Sequence, residues 1–137
     1  MPKTVRQWIY PPRRAKTVSS SLKEELTAKA EEIIQTVFKP RYLKPPPHKP
    51  RFNYIVDIFT KWHKSCLYFC ARYACPGPNA CSPFLEGSFA RLTCMGNNRF
   101  NLAFMRHTGK WCEVFTDLTM EDAFSTICDD VLFHPPA

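Results

Sequence analysis

Cysteine and histidine have the widest chemical reach in this chain, and they are unevenly spread. Cys66, Cys70, Cys75 and Cys81 fall within sixteen residues, with His63 just ahead. Zinc favours soft ligands at such density, usually on two short C-x₂₋₄-C knuckles. Cys66 and Cys70, however, lie in a segment that reads as extended. On a strand they share a face but stand about 13 Å apart, too far to hold one tetrahedral ion. Cys70, Cys75 and Cys81 remain as a weak candidate set where that strand runs into a loop. The expectation is therefore no bound metal and no cofactor. The seven cysteines are an odd number, and Cys66, Cys70, Cys94 and Cys112 sit in apolar, strand-like stretches. They read as reduced structural thiols, which fits a cytoplasmic protein.

Catalytic patterns are no stronger. His63 falls at a hairpin tip and His107 in a turn near Glu113 and Asp117, places where histidines are usually solvated. With four glycines there is no G-x-S-x-G, P-loop or dinucleotide-binding pattern. Asp129 and Asp130 are adjacent, while Asp57 and Glu86 stand alone, so no carboxylate cluster offers itself for metal-assisted hydrolysis. No enzyme and no small-molecule substrate are expected; a zinc-binding domain or a cysteine-dependent enzyme is the lesser alternative.

Charge is more informative. Residues 1–51 carry 12 Lys/Arg against 4 Asp/Glu, whereas residues 52–137 carry 7 against 8, so the net charge of +7 resides in the first third. Lys3, Arg6, Arg13, Arg14 and Lys16 form a basic extended arm over residues 1–20 that contains no acid. Such an arm suits a polyanion, since neutralising phosphates releases counterions. Arg72, Arg91 and Arg106 interrupt apolar alternation where a plain core excludes charge. On one open sheet face with Phe59, Trp62, Tyr68 and Tyr73 beside Lys61, they would stack bases and hold phosphates. RNA or DNA is thus the expected partner. The alternative is a protein assembly, docked through Trp8 and Tyr10 with their neighbours Ile9, Pro11 and Pro12. No run of about 18 apolar residues is present, so no membrane-spanning helix is expected. The residues after Met1 lack a signal-peptide core, which again points to the cytoplasm.

The elements that must position these groups follow from periodicity. We read one α+β domain over residues 21–137: an N-terminal helix, a curled five-stranded antiparallel sheet and a C-terminal helix. The first helix is expected over 21–39. Ser21 and Glu24 serve as its capping box, and Leu22, Leu26, Ala30, Ile33, Ile34, Val37 and Phe38 form one stripe. Pro40 ends it. A Pro-rich crossover, 44–51, leads to the sheet at 52–116. A hairpin over 52–74 turns at Lys64-Ser65, and a meander with strands near 89–95, 99–106 and 110–116 follows. A long irregular loop, 75–88, separates them. Large apolar groups on both sides of the hairpin point to a sheet covered on both faces, by a helix on one and the arm on the other. The last helix is expected at 119–132, with Thr119 and Asp122 at its start.

Residues 89–117 are the most distinctive stretch. Phe89-Ala90-Arg91-Leu92-Thr93, Phe100-Asn101-Leu102, Phe104-Met105-Arg106 and Lys110-Trp111 resemble a small bacterial domain-of-unknown-function family, the one numbered three thousand and twenty-four. The preceding helix, Pro-rich connection, hairpin and final helix are similar in order, so the likeness spans about residues 21–134. It implies the fold and carries no activity with it.

Overall fold

The computed structural model describes residues 18–43, 53–77 and 82–136. The arm as far as Thr17, the Pro-rich crossover 44–51 and the loop tip 78–81 lie outside the described residues. The element order is α1 (Ser20–Ile33), a π-helical segment (Ile34–Phe38), α2 (Lys39–Tyr42), β1 (Tyr54–His63), β2 (Cys66–Ala74), β3 (Phe84–Gly96), β4 (Arg99–Met105), β5 (Trp111–Leu118), α3 (Met120–Asp129) and a 3-10 turn (Val131–Phe133). The five strands form one antiparallel sheet in sequence order, β1-β2-β3-β4-β5. The chain is α+β.

Local chemistry sets the ends of the first helix, and it corrects two expectations. The cap is Ser19, whose Oγ accepts the Leu22 N–H at 3.1 Å, not Ser21 with Glu24. Ser19, Ser20 and Ser21 offer the same hydroxyl, so starting at the first adds length without changing which residues face the core. Nor does Pro40 end the helix, which continues to Tyr42. Between Ile34 and Phe38 the hydrogen bonds lengthen by one residue, and the Lys39 N–H reaches back to the Ile34 carbonyl. A proline cannot supply an N–H and its ring collides with the carbonyl four residues back. The widened turn just before it relieves both demands.

Turns and bulges set the register of the sheet. Asn97 and Asn98, both left-handed at φ 54° and 56°, make the two-residue turn between Gly96 and Arg99, the geometry that favours asparagine and matches strand twist. Lys64 takes φ 55° in the β1–β2 turn. A bulge at Val56 shifts the β1 register, so Ile55 and Ile58 are both buried. A second bulge at Phe89, between the pairs Phe69–Ala90 and Cys70–Ser88, lets Phe89 enter the same core as Phe69. The loop expected over 75–88 is shorter than that, because β3 begins at Phe84 and pairs with Ala74.

Both helices pack on one face of the sheet; the arm expected on the other face lies outside the described residues. Leu26, Ala30, Ile34 and Phe38 from the first helix, and Phe124 and Ile127 from α3, join Leu67, Phe69, Leu92 and Leu102 of the sheet in one cluster. The ring of Phe38, fully buried, meets Phe69, Phe89, Tyr42 and His134 edge to face at 5.0–6.3 Å. His134 is the polar member of this core. Its Nε2 lies 3.1 and 3.0 Å from the Ile127 and Cys128 carbonyls, so Nε2 carries the proton and donates. Nδ1 then accepts from the Tyr42 hydroxyl at 2.6 Å. One imidazole thereby satisfies two carbonyls at the end of α3 and ties them to the end of the first helix.

His134→Ala should therefore leave Tyr42 and those carbonyls unpaired in an apolar site. We expect it to cost about 2–4 kcal/mol, measured as a fall in the urea midpoint. A loss under about 0.5 kcal/mol would show that the His134 contacts do not hold the two helix ends together.

Candidate nucleic-acid interface

The opposite face of the sheet carries the polar chemistry. Register places Lys61 beside Tyr68, Tyr68 beside Arg91, and Arg91 beside Ala103, which in turn faces Glu113 on β5. Because side chains alternate along each strand, Cys66, Cys70, Arg72, Thr93 and Met105 share this face. The rings of Tyr68 on β2 and Trp111 on β5 meet at 5.6 Å and 63°. Three inter-strand spacings, about 14 Å, separate their strands, so the sheet bends toward this side. Cys66, Cys70, Thr93, Asn101 and Ala103 are buried on this face, which no described helix covers.

Specific contacts organise the concavity. Arg91 lies with its guanidinium carbon 5.0 Å from the centre of the Trp111 ring, a cation–π stack. Arg72 lies over Phe84 at 4.4 Å and reaches Glu86 at 3.9 Å. Asn101, 5% exposed, donates from Nδ2 to Glu113 at 3.2 Å and accepts the Asp117 N–H at 3.0 Å. That second bond holds Asp117 in its left-handed conformation, φ 57°, where β5 bulges away from β4. The acids beside the groove thus have assigned partners: Glu86 with Arg72, Glu113 with Asn101, and Asp57, at the β1 bulge, with Lys39 at 3.6 Å.

The candidate residues divide. Arg72 and Arg91 share the concave face, as do Phe59, Lys61 and Tyr68. Arg106 does not join them, since it lies exposed in the turn after β4, out of phase with Met105. Trp62 and Tyr73 belong to the helix side. The Trp62 indole N–H donates to Thr27 on α1 at 2.9 Å, and the Tyr73 hydroxyl to the Pro136 carbonyl at 2.7 Å. Grouping all four aromatics together overlooked the alternation within β2, where Tyr73 is in phase with Leu67 and Phe69. Lys3, Arg6, Trp8, Tyr10, Arg13, Arg14, Lys16 and Cys81 lie outside the described residues. Sequence reasoning missed the role of Trp111; only the register across four strands sets it against Tyr68 and Arg91.

The thiols behave as buried groups. Cys70 turns its Sγ to the Ser88 hydroxyl at 3.3 Å, and Cys66 to Thr93 at 3.5 Å. Among the described residues no three His, Cys, Asp or Glu side chains gather as a metal site. Burial raises the Cys70 and Cys128 thiols above their ordinary value. Cys94, 2% exposed, is pushed from 9.0 to about 11 by burial, with Cys66 adding and Lys23 opposing.

These features define an α+β domain whose helices cover one sheet face and leave a concave, aromatic and arginine-bearing face uncovered by helix. The family model of the domain of unknown function DUF3024 matches residues 18–135, and the chain belongs to that family. No curated protein and no solved structure matches it. Among the described residues no helix is long and apolar enough to cross a membrane.

The cysteine shifts have a measurable consequence. A folded thiol that holds its proton to about pH 11, against 9.0 in the unfolded chain, leaves stability intact below pH 9. Between pH 9 and 11 the unfolded state alone loses the proton, so stability falls as pH rises. For Cys94 the loss should be on the order of 2 kcal/mol. Urea unfolding at pH 8 and 10.5 should show a smaller alkaline loss for Cys94→Ala than for the parent. Equal losses would assign the alkaline instability elsewhere.

Proposed function

We propose that this domain binds nucleic acid, using the concave face of the sheet for aromatic and arginine contacts and the basic arm for phosphate attraction. One observation carries this reading: Trp111 meets both Tyr68 and Arg91, and Arg91 and Lys61 flank Tyr68 in the register, on the face that the described helices leave alone. Bases have polarisable faces that stack on aromatic rings whatever their sequence, and guanidinium groups serve both phosphates and stacked rings. The body itself is near neutral, with 7 Lys/Arg against 8 Asp/Glu over residues 52–137. The first helix is neutral, with 4 Lys/Arg against 4 Asp/Glu over residues 18–43, so long-range attraction falls to the arm and to Lys44, Lys49 and Arg51 of the crossover, and the concave face contributes short-range contacts. This division suits an accessory binding role with no chemical step, and we place no catalytic group in the concavity. A protein partner docked through Trp8 and Tyr10 is the second class of reading, and the two separate on ionic strength.

Binding to a labelled oligonucleotide should weaken steeply as salt rises, because each neutralised phosphate returns counterions to solution. Deleting residues 1–17 spares the Ser19 cap and should leave the unfolding transition in place while lowering affinity. Arg13→Glu with Arg14→Glu is the gentler form of the same change. Trp111→Ala should cost about fivefold or more in affinity, the worth of one stacked base. Affinity indifferent to salt, or unmoved by both the arm deletion and Trp111→Ala, would favour the protein-docking alternative.

A further inference from the structure

We infer that Arg91 is an oxyanion receptor that anchors one phosphate of an unpaired strand, and that the concave face therefore selects single strands over duplex. This rests on the nucleic-acid reading above and names its substrate class. The Nε of Arg91 is buried and has no hydrogen-bond partner among the described residues. No described carboxylate forms an ion pair with Arg91. Glu113, two strands away in the register, accepts from Asn101, and Glu86 pairs with Arg72. A half-buried guanidinium ordinarily has a carboxylate beside it, since desolvating an unmatched charge is costly. Here the Trp111 ring lies against its face and the Nε is buried, which leaves the two Nη groups to meet an incoming oxyanion. Guanidinium donors lie in a rigid planar fork that fits two oxygens of a phosphate at once.

The surroundings favour an unpaired strand. Ala103, the cross-strand neighbour between Arg91 and Glu113, adds only a methyl group, and its 1% exposure places it at the floor of the concavity. Tyr68 and Trp111, both partly buried, wall the site. A base that stacks on these rings must leave its own stack, which strands without a complement do at little cost and duplexes do not. A duplex phosphate sits on a convex cylinder and meets the rim of this groove before its floor. The same Arg91 fork also fits a free monophosphate, so the test separates the two sources.

The experiment uses the full chain and three probes: a 12-nucleotide single strand, its duplex with the complement, and inorganic phosphate. Affinities are read by anisotropy of the labelled strands across a salt series, with phosphate as competitor. The variants are Arg91→Met, which keeps the length and loses the charge, and Arg91→Lys, which keeps the charge and loses the fork. We expect the single strand to bind at least tenfold more tightly than the duplex. Arg91→Met should lose about tenfold and flatten the salt slope by about one phosphate, while Arg91→Lys should recover the slope and only part of the affinity. Because Arg91→Met removes a half-buried charge that has no described carboxylate partner, its thermal midpoint should equal or exceed that of the parent. A drop in midpoint together with the lost affinity would make Arg91 a structural prop for Trp111 and overturn the inference. So would equal affinity for duplex, or competition by phosphate alone as strongly as by strand phosphate. Unchanged binding by Arg91→Met, with Trp111→Ala still defective, would overturn the receptor and leave the nucleic-acid reading in place. No binding of any oligonucleotide by the parent chain would end both.

Discussion

Phe38 cannot be buried unless the helix, the sheet and the C-terminal tail arrive together. Its ring is in contact with Phe69 of β2, Phe89 of β3, Tyr42 one turn on and His134 beyond α3. Each edge-to-face contact adds modestly to the burial itself, but together they draw on every layer of the fold. The π-helical segment that ends at Phe38 makes this geometry compatible with Pro40 two residues later. The bulge at Phe89 supplies a second ring where regular pairing would have sent that side chain to the other side. The apolar driving force is thus concentrated on one side of the sheet, and the far side is free to be polar.

That asymmetry gives the concave face its character. Five of its side chains, Cys66, Cys70, Thr93, Asn101 and Ala103, are buried, and all are small or able to form hydrogen bonds of their own. A larger apolar set would have closed the concavity into a second core. Asn101 ties Glu113 and the Asp117 backbone together, so the edge strand β5 is fixed in place and presents Trp111 at a defined position. The arrangement sets small buried groups at the floor and large aromatic and cationic groups at the rim.

Much of this could be read from the sequence, and what escaped has identifiable physical causes. The α+β order, the hairpin turns at Lys64-Ser65 and at Gly96-Asn97-Asn98, and the Thr119 start of the last helix rest on local chemistry that needs no partner. The cap at Ser19 was missed because three consecutive serines are equivalent by type. Pro40 was read as a stop because a π-turn has no composition signature. Trp62 was grouped with Phe59 and Lys61 although it is out of phase with them past the Val56 bulge and packs on α1. Of the candidate site, Arg72 and Arg91 were legible as charges that break an apolar alternation. Trp111 was not, because its role depends on a register accumulated over four strands.

The clamp at His134 also bears on how the molecule comes to be folded. Neighbouring strands pair in chain order, so the sheet can zip up from contacts close in sequence, which forms quickly. The bond from His134 to Tyr42, by contrast, spans 92 residues. On a ribosome the first helix must therefore wait, with its apolar stripe and Phe38 without their final cover, until the tail beyond α3 has emerged. Vectorial synthesis would leave this intermediate exposed to aggregation and to chaperones. Phe69 and Phe89 are made well before His134, so the tail adds the last of the groups that meet Phe38.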